Sequence, residues 1–272
     1  MPGTEDRTRK AATAARMYDY FLGGVHNFPV DREAARQVLA QYPLTALAVR
    51  ANRAFLGRAV RFLVEAGVRQ FLDLGSGMPT VGNVHEIAQQ AAPEARVVYV
   101  DIDPVAVSES LELLAGNPLV TAIRGDVRAP KQILGHTEVR ELLDFSQPIG
   151  LLMVALLHFV PDDDEAYRVV STLVEALAPG SYLVISHSTT DGLNLSAETV
   201  TRGREIYRQQ TATPIRPRSH AETARFFIAT DLVEPGLVAA PLWRPALEDP
   251  RDFADNPAGS GFLAGIGQIH PQ

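Results

Sequence analysis

Residues 71–80 read FLDLGSGMPT, an apolar run that ends in a Gly-x-Gly turn. Short apolar runs that stop at glycine are typical of buried strands in a parallel sheet. Gly75 and Gly77 carry no side chain, so the backbone at this turn could approach a bound ligand closely. We therefore expect a strand that ends at Leu74 and a ligand-binding turn directly after it.

The alternation of short apolar runs and helix-like stretches continues along the chain. We expect strands at 70–74, 96–100, 119–124, 149–154 and 181–186, with helices near 81–91, 104–115, 130–143 and 163–177 between them. Parallel strands joined by helical crossovers predict a doubly wound α/β fold. Helical patterns at 31–42 and 44–65 precede the sheet, and a helix near 220–230 and strand-like runs at 236–240 and 261–269 follow it. We divide the chain into an N-terminal helical segment, 1–66, and a main domain, 67–272, with an insertion near 187–218.

Composition places the chain among ordinary globular proteins. It has 272 residues, 46% of them hydrophobic and 21% charged, a formal net charge of −7 and no cysteine. The acidic balance disfavours nonspecific binding to nucleic acid, and the longest apolar run, 149–157, is too short to cross a bilayer. The absence of cysteine excludes disulfides, thiolate catalysis and cysteine zinc sites. Since the N-terminus also lacks an apolar signal region, we expect a cytoplasmic protein with neither a nucleic-acid nor a membrane partner.

Acidic residues follow the next two predicted strands. Residues 97–104 read VVYVDIDP, so Asp101 stands at the carboxyl end of the strand beside the first. A carboxylate in that position can accept hydrogen bonds from both hydroxyls of a ribose. Asp126 ends the third strand, where it could accept a hydrogen bond from an adenine amino group, although Gly-Asp is also a common turn. The turn and the acids together indicate a ligand that contains a nucleoside.

The residues around the turn distinguish between two kinds of nucleoside cofactor. A dinucleotide fingerprint needs a third glycine, Gly-x-Gly-x-x-Gly, where this chain has Thr80. Asp73 immediately precedes the turn, and its charge would repel a pyrophosphate but attract the ammonium and sulfonium of S-adenosylmethionine. We therefore favour S-adenosylmethionine as the cofactor, with a nicotinamide-dependent oxidoreductase as the rival interpretation. An ordinary strand-to-helix turn without a ligand is the remaining alternative.

Several sequence blocks resemble class I methyltransferases, and more narrowly the bacterial S-adenosyl methyltransferase family. The blocks are 15–24 (ARMYDYFLGG), 27–28 (NF) with Asp31, 51–55 (ANRAF), 70–80 (QFLDLGSGMPT), 83–86 (NVHE), 96–104 (RVVYVDIDP), 157–162 (LHFVPD) and 179–187 (PGSYLVISH). The resemblance covers most of the chain. It implies the class I methyltransferase fold, with a mostly parallel seven-stranded sheet, a reversed last hairpin and an N-terminal helical extension. It also implies cofactor-binding roles for Asp73, Gly75, Ser76, Gly77, Asp101, Asp103, Asp126 and Val127.

The N-terminal block carries polar aromatic side chains outside the nucleotide-binding core. In class I methyltransferases such a segment often closes over the cofactor. We therefore hypothesise a lid in which Tyr18 and Tyr20 shield the sulfonium and Asn27 also contacts the cofactor. The alternative is that both tyrosines pack against the sheet with their hydroxyl groups in water.

The candidate catalytic residue is His158, which follows the fourth predicted strand. Class I methyltransferases commonly keep residues that face the methyl group at this position, and a neutral imidazole there could serve as general base. A structural histidine is the alternative, and His187 is a second candidate. We predict no metal site, because His26, His85 and Glu86 are scattered and lack the spacing of zinc ligands.

These patterns predict an S-adenosylmethionine-dependent methyltransferase that transfers the methyl group directly to an oxygen or nitrogen atom of a small molecule. Five arginines between 202 and 218 hint at an acidic group on that molecule, whereas exposed arginines usually face water. The arginines along one side of the helix at 44–65 are interpreted as solvent-facing. A protein that binds the cofactor as a sensor, or uses it for another reaction, is the alternative function.

Overall fold

A doubly wound α/β sheet forms the centre of the protein. The structure, a computed structural model, describes residues 11–80, 82–193, 195–211 and 213–270. Its strands are β1 (Gln70–Leu74), β2 (Arg96–Asp101), β3 (Val120–Arg124), β4 (Gly150–Val154), β5 (Tyr182–Ser188), β6 (Asp231–Leu232), β7 (Val238–Ala239) and β8 (Phe262–Gln268). The order across the sheet is β3-β2-β1-β4-β5-β8-β6, and β7 also pairs with β8. The first five strands are parallel and β8 is antiparallel, which confirms the predicted fold class.

The last hairpin differs from the prediction in its strand count. The strand that pairs with the outer side of β8 is divided into β6 and β7, so the sheet has eight strands where we predicted seven. Between them lies Pro235, which has no N–H to donate to β8, and Gly236 N–H instead donates to Val233 O over 2.8 Å. The interruption therefore follows from a local turn, and the reversed arrangement of the last strands is as predicted.

Helices cover both faces of the sheet. They are α1 (Ala14–Phe21), α2 (Pro29–Gln41), α3 (Thr45–Glu65), α4 (Val84–Ala91), α5 (Pro104–Leu113), α6 (Pro130–Leu134), α7 (Thr137–Leu142), α8 (Asp163–Val174), α9 (Ala197–Gln210) and α10 (His220–Ala224). Short 3-10 helices lie at Leu157–Phe159, Arg225–Phe227, Ala240–Leu242 and Pro257–Ser260. The helix predicted at 130–143 is two helices, because α6 ends at Gly135 and α7 begins after His136. No helix among the described residues is long and apolar enough to cross a membrane.

The alternation of side chains along β1 separates the two main cores. Leu72 and Leu74 belong to the apolar cluster on the α8 side, whereas Phe71 belongs to the cluster that contains Phe55 and Leu63 of α3. Side chains two apart on a strand point to the same face, so Asp73 lies on the α3 side. Helix α3 therefore packs on the sheet, although it lies within the N-terminal segment 1–66 that we predicted. The division into two segments itself stays a prediction.

A smaller helical unit, formed by α1, α2 and α9, covers the carboxyl ends of the parallel strands. We call it the cap. Its apolar cluster includes Met17 and Val38, and Tyr207 of α9 packs against it. Helix α9 approaches α2 closely because residue 203 is glycine; a β-carbon at Gly203 would overlap the ring of Tyr42. The insertion and the N-terminal helices thus form one layer.

Arg16 fastens the cap to the sheet. Its side chain is fully buried and donates to Asp31 Oδ2 at 2.9 Å and to Asp103 Oδ2 at 2.7 Å. The hydroxyl group of Thr13 donates to the same Asp103 oxygen at 2.8 Å. Because Asp103 follows β2 by two residues, this cluster of charges joins α1 and α2 directly to the edge of the sheet.

We predict that Arg16→Met lowers the free energy of unfolding by about 3–5 kcal/mol, because Asp31 and Asp103 would stay buried without their cation. Arg36→Met is the matched control on α2. Among the described residues Arg36 pairs only with exposed Glu33, and its replacement should cost less than about 1 kcal/mol. Urea unfolding of the two variants measures the difference, and equal losses would contradict the anchoring role of Arg16.

Candidate functional site

A cavity of about 770 Å³ lies where the parallel strands end. Its floor is formed by the segments that follow β1 to β5, and its roof by residues of α1, α2, α3 and α9. The carboxyl edge of an open α/β sheet is the general position for ligands in this architecture. The cavity is therefore the candidate functional site.

The Gly-x-Gly turn bends over the end of β2. The N–H groups of Gly75 and Ser76 donate to Val100 O at 2.8 and 3.2 Å. Gly75 and Gly77 both have φ of +69°, a left-handed conformation that side chains other than that of glycine seldom adopt. A β-carbon at Gly75 would also lie 2.5 Å from Leu156 Cδ1. Conformation and close packing therefore both require glycine at position 75, and both glycines and Ser76 line the cavity.

Asp73 is a buried carboxylate on the cavity wall. It is 6% exposed, and no described residue donates a hydrogen bond to it. Burial raises the pKa of Asp73 to about 7, the guanidinium of Arg53 acts in the opposite direction, and the charge of Asp101 raises it further. A carboxylate without donors in a buried position is costly, so this residue has an unmet requirement for a positively charged partner.

Asp101 is held differently from its neighbour. Its Oδ2 accepts from Gly77 N at 2.8 Å and its Oδ1 from Asp103 N at 2.8 Å. Burial raises the pKa of Asp101 to about 6, and these backbone N–H groups partly offset that effect. Each oxygen keeps a second lone pair. The carboxylate is thus fixed in orientation on the cavity wall and can still accept hydrogen bonds from a ligand.

Asp103 lines the cavity as well, but protein donors occupy both of its oxygens. Oδ1 accepts from Val105 N and caps α5, and Oδ2 accepts from Thr13 and Arg16. Asp103 therefore has a structural role, since its donors come from the cap and α5, and the cofactor contact that we predicted for it stays a prediction.

Asp126 and Val127, which follow β3, also line the cavity. Asp126 is about one-third exposed and forms an ion pair with Arg128, with Arg128 Nη2 2.6 Å from Oδ2. Hydrogen bonds from Arg128 lower the pKa of Asp126. The carboxylate is therefore ionised at neutral pH, with an arginine already on one side of it.

The predicted lid residues divide into two groups. Tyr18 lines the cavity, and its hydroxyl group donates to Val49 O at 3.3 Å and accepts from Asn52 Nδ2 at 2.9 Å. Tyr20 and Asn27 do not line the cavity. Asn27 instead donates to Asp19 Oδ2 at 2.7 Å. The structure thus does not support direct cofactor contacts from Tyr20 and Asn27, because neither residue lines the cavity.

The sequence analysis did not identify Arg53 and Asp19, two charged residues that line the cavity. Arg53 of α3 faces the cavity and donates to Asn83 Oδ1 at 3.4 Å, while its buried Nε has no partner among the described residues. Asp19 of α1 is buried, and its Oδ1 has no hydrogen-bond partner among the described residues. Arg53 lies on the helix side that we interpreted as solvent-facing, so that interpretation is wrong for this residue. It is also wrong for Arg58, which is buried and forms an ion pair with Asp249.

His158 lies on the cavity wall as predicted, in the 3-10 helix that follows β4. Ser188 N donates to its Nδ1 at 3.3 Å, so the neutral ring carries its proton on Nε2. Burial lowers the pKa of His158 well below its usual value, and His187 and Arg218 lower it further. His158 is therefore uncharged and better suited to donate a hydrogen bond from Nε2 than to accept a proton.

His187 is a structural histidine. Arg218 Nη1 donates to Nε2 at 3.1 Å, so Nδ1 carries the proton and donates to Ser188 O at 2.7 Å. Both nitrogens are occupied by protein groups, which removes His187 from the candidate catalytic residues. Among the described residues, no cluster of three or more histidine and acidic side chains is arranged to hold a metal ion.

Comparison with known proteins gives concordant matches. A family model described as S-adenosyl methyltransferase matches residues 4–270. A candidate methyltransferase from Thermobifida fusca is 41% identical, with 99% of each chain covered and a TM-score of 0.89. A DUF574 family protein from Streptomyces avermitilis is 39% identical over 96% of this chain and 98% of its own, with a TM-score of 0.88. The S-adenosylmethionine-dependent methyltransferase SibL shares the fold alone. It is 15% identical over 83% of this chain and 56% of its own, with a TM-score of 0.51. No curated protein matches the chain.

We predict that Gly75→Ala is more destabilising than Gly116→Ala. Both glycines have positive φ, but only at Gly75 would the β-carbon meet another side chain. Backbone strain should cost roughly 1–3 kcal/mol in each variant, and overpacking against Leu156 should add about 1–3 kcal/mol at Gly75. Denaturant midpoints measure both costs. Adding Leu156→Ala to Gly75→Ala tests for relief of the clash, and equal stability of the two single variants would contradict it.

We predict that Asp73→Asn stabilises the unliganded protein at pH 8, by roughly 2–4 kcal/mol. The folded pKa of about 7 lies above the ordinary value of 3.8 for an aspartate, so the folded state binds the proton more tightly and loses this stability as pH rises from about 4 through 7. Asparagine carries no charge and removes that loss. Asp126→Asn is the control with the opposite sign, because the pKa of Asp126 is lowered. Unfolding free energies at pH 5 and pH 8 test both, and an Asp73→Asn variant that is less stable at pH 8 would refute the assignment.

Proposed function

The chain belongs to the S-adenosyl methyltransferase family and is an S-adenosylmethionine-dependent methyltransferase, and on that premise we propose that it methylates an oxygen or nitrogen atom of a small molecule. The observation that carries the proposal is the roofed cavity of about 770 Å³. Its size lies within the usual range of small-molecule sites, roughly 300–1,000 Å³. The cap covers it from above, which favours an acceptor small enough to be enclosed over one that approaches as part of a macromolecule.

We propose that Asp73 and Arg53 hold the amino-acid end of the cofactor. Asp73 has no described donor and Arg53 Nε has no described acceptor, so the pair lacks what an ammonium and a carboxylate would provide. Arg53 is close enough for its charge to lower the pKa of Asp73. At Gly77 of the turn beside them, a β-carbon would meet no atom within 4 Å, so the backbone there is open to a ligand.

The nucleoside end is assigned to the following strand ends. Asp101, already oriented by two backbone N–H groups, would accept hydrogen bonds from the ribose hydroxyls. Asp126 would accept from the adenine amino group, and Val127 would pack beside the ring. Tyr18 presents its ring to the cavity from α1, while its hydroxyl group is retained by α3.

When bound, S-adenosylmethionine would supply an electrophilic methyl group for the acceptor's oxygen or nitrogen atom. The protein's contribution is to bind and orient the acceptor, since correct placement alone can account for a large part of a rate enhancement. We propose that His158 does so as a neutral hydrogen-bond donor through Nε2. This role replaces the general base that we expected, because Nδ1 already accepts from Ser188.

A cytoplasmic location, which rests on the lack of cysteine, belongs to the same proposal.

We predict that Arg53→Gln weakens binding of S-adenosylmethionine by about 10–100-fold, the usual cost of losing a hydrogen bond to a charged group. Arg50→Gln, one turn earlier on α3 and exposed, is the matched control and should bind normally. Calorimetry with S-adenosylmethionine and S-adenosylhomocysteine measures both affinities.

The same proteins test the acceptor class. With methyl-labelled cofactor and a bacterial extract, the wild type and Arg50→Gln should label molecules that pass a small-pore filter, and Arg53→Gln should label them less. Label confined to protein or nucleic acid would contradict a small-molecule acceptor. Equal cofactor affinities of the two variants would contradict the role of Arg53.

A further inference from the structure

One end of the cavity is walled by aromatic rings. His158, Phe159, Tyr207 and Phe262 line it together with Tyr42. The ring centroids of His158 and Phe159 lie 4.4 Å apart, those of Phe159 and Tyr207 5.9 Å, and those of His158 and Phe262 6.2 Å. We call this part of the cavity the aromatic chamber. It lies beyond β4 and β5, whereas the residues assigned to the cofactor lie at β1 to β3.

Uncharged groups dominate the chamber. His158 is neutral, and partial burial raises the pKa of Tyr207 to about 12, so neither side chain carries charge near neutral pH. Leu195, Val200 and Ile215 add aliphatic surface to the same cavity. Flat apolar molecules gain both area burial and ring-to-ring contacts in such surroundings.

Arg204 of α9 brings a positive charge to this chamber. The residue is exposed and lines the cavity, and no described residue forms an ion pair or hydrogen bond with its guanidinium. Its charge lowers the pKa of Tyr42, against the larger effect of burial. The field of Arg204 therefore reaches the chamber wall.

The other arginines of the insertion are neutralised by protein acids. Arg202 pairs with Glu198 at 2.7 Å, and Arg208 pairs with Glu205. Arg216 and Arg218 both bind Asp163, and Arg218 is buried among backbone carbonyls. Of these five cations, Arg204 alone has no described partner and reaches the cavity.

We propose that the methyl acceptor is an aromatic molecule that carries an anionic group, with its ring in the aromatic chamber and its anion bound by Arg204. The inference rests on the proposed function and narrows the expected acidic substrate to one contact. It gives the insertion a specificity-determining role: α9 supplies both the ring of Tyr207 and the guanidinium. A partly exposed arginine binds a carboxylate or sulfonate through charge-assisted hydrogen bonds.

Two fluorescent probes separate the contributions of ring and charge. 1-Anilinonaphthalene-8-sulfonate is an aromatic anion, and N-phenyl-1-naphthylamine has the same ring system without the sulfonate. Both are titrated into the wild type, Arg204→Gln and Arg202→Gln, in the presence of saturating S-adenosylhomocysteine. A fourth protein, Val200→Trp, places a bulky side chain of α9 in the chamber and so tests whether the probes bind there.

We expect Arg204→Gln to weaken binding of the sulfonate about five- to tenfold and to leave the neutral probe unchanged. Arg202→Gln should affect neither. The advantage of the sulfonate in the wild type should also shrink with added salt, because the contact is partly exposed. Val200→Trp should weaken both probes at least about tenfold, with S-adenosylhomocysteine still bound.

The proposal is overturned if Arg204→Gln leaves the sulfonate affinity unchanged, or if both probes weaken equally in that variant. It is also overturned if the wild type binds S-adenosylhomocysteine but neither probe, or if Val200→Trp has no effect on them. Failure of the wild type to bind S-adenosylhomocysteine would instead refute the proposed cofactor site, so the two failures are distinguishable.

Discussion

Two buried carboxylates at the ends of neighbouring parallel strands set the constraint on which the rest of the site depends. The register of β1 and β2 pairs Asp73 with Tyr99, two residues before Asp101. Asp101 satisfies its charge with backbone N–H groups, one of them from Gly77. Among the described residues, Asp73 has no hydrogen-bond donor, and the charge of Arg53 lowers its pKa. Because a buried charge without hydrogen bonds is costly, a ligand with a cationic, hydrogen-bonding group would stabilise the ionised form of Asp73.

The cap is tied to the same short segment of backbone. Asp103 N–H donates to Asp101, while the carboxylate of Asp103 binds Thr13 and Arg16 of the cap. The backbone N–H of Asp103 therefore orients the carboxylate of Asp101, the candidate acceptor for ribose hydroxyls. The side chain of Asp103 holds the cap. The cap and Asp101 are thus connected through the hydrogen bonds of a single residue, Asp103. The N-terminal helices are thus part of the site, although they lie outside the sheet.

Much of this architecture can be predicted from short stretches of the sequence, but the surroundings of individual side chains cannot. Parallel strands are buried on both faces, so β1 to β5 stand out as apolar runs, and the acids that follow them are easily located. The environment of a helix face is different, because helical periodicity separates polar from apolar sides but does not say what covers the polar side. Arg53 belongs to a polar side that meets a cavity. Tyr20 and Asn27 illustrate the reverse, since they belong to a polar sequence block beside the cavity but do not line it.

Whether an arginine of the insertion can bind a ligand depends on whether a protein acid already neutralises it, not on how many arginines the insertion has. On a helix a cation is neutralised by an acid three or four residues away, as Arg202 is by Glu198 and Arg208 by Glu205. At those spacings Arg204 meets Val200, Thr201, Tyr207 and Arg208, none of which is acidic. The lack of an acidic partner for Arg204 within α9 can therefore be deduced from the order of residues once α9 is known to be a helix. What the order cannot supply is the position of α9 against α2, and that packing, permitted by Gly203 against Tyr42, brings the cation to the cavity.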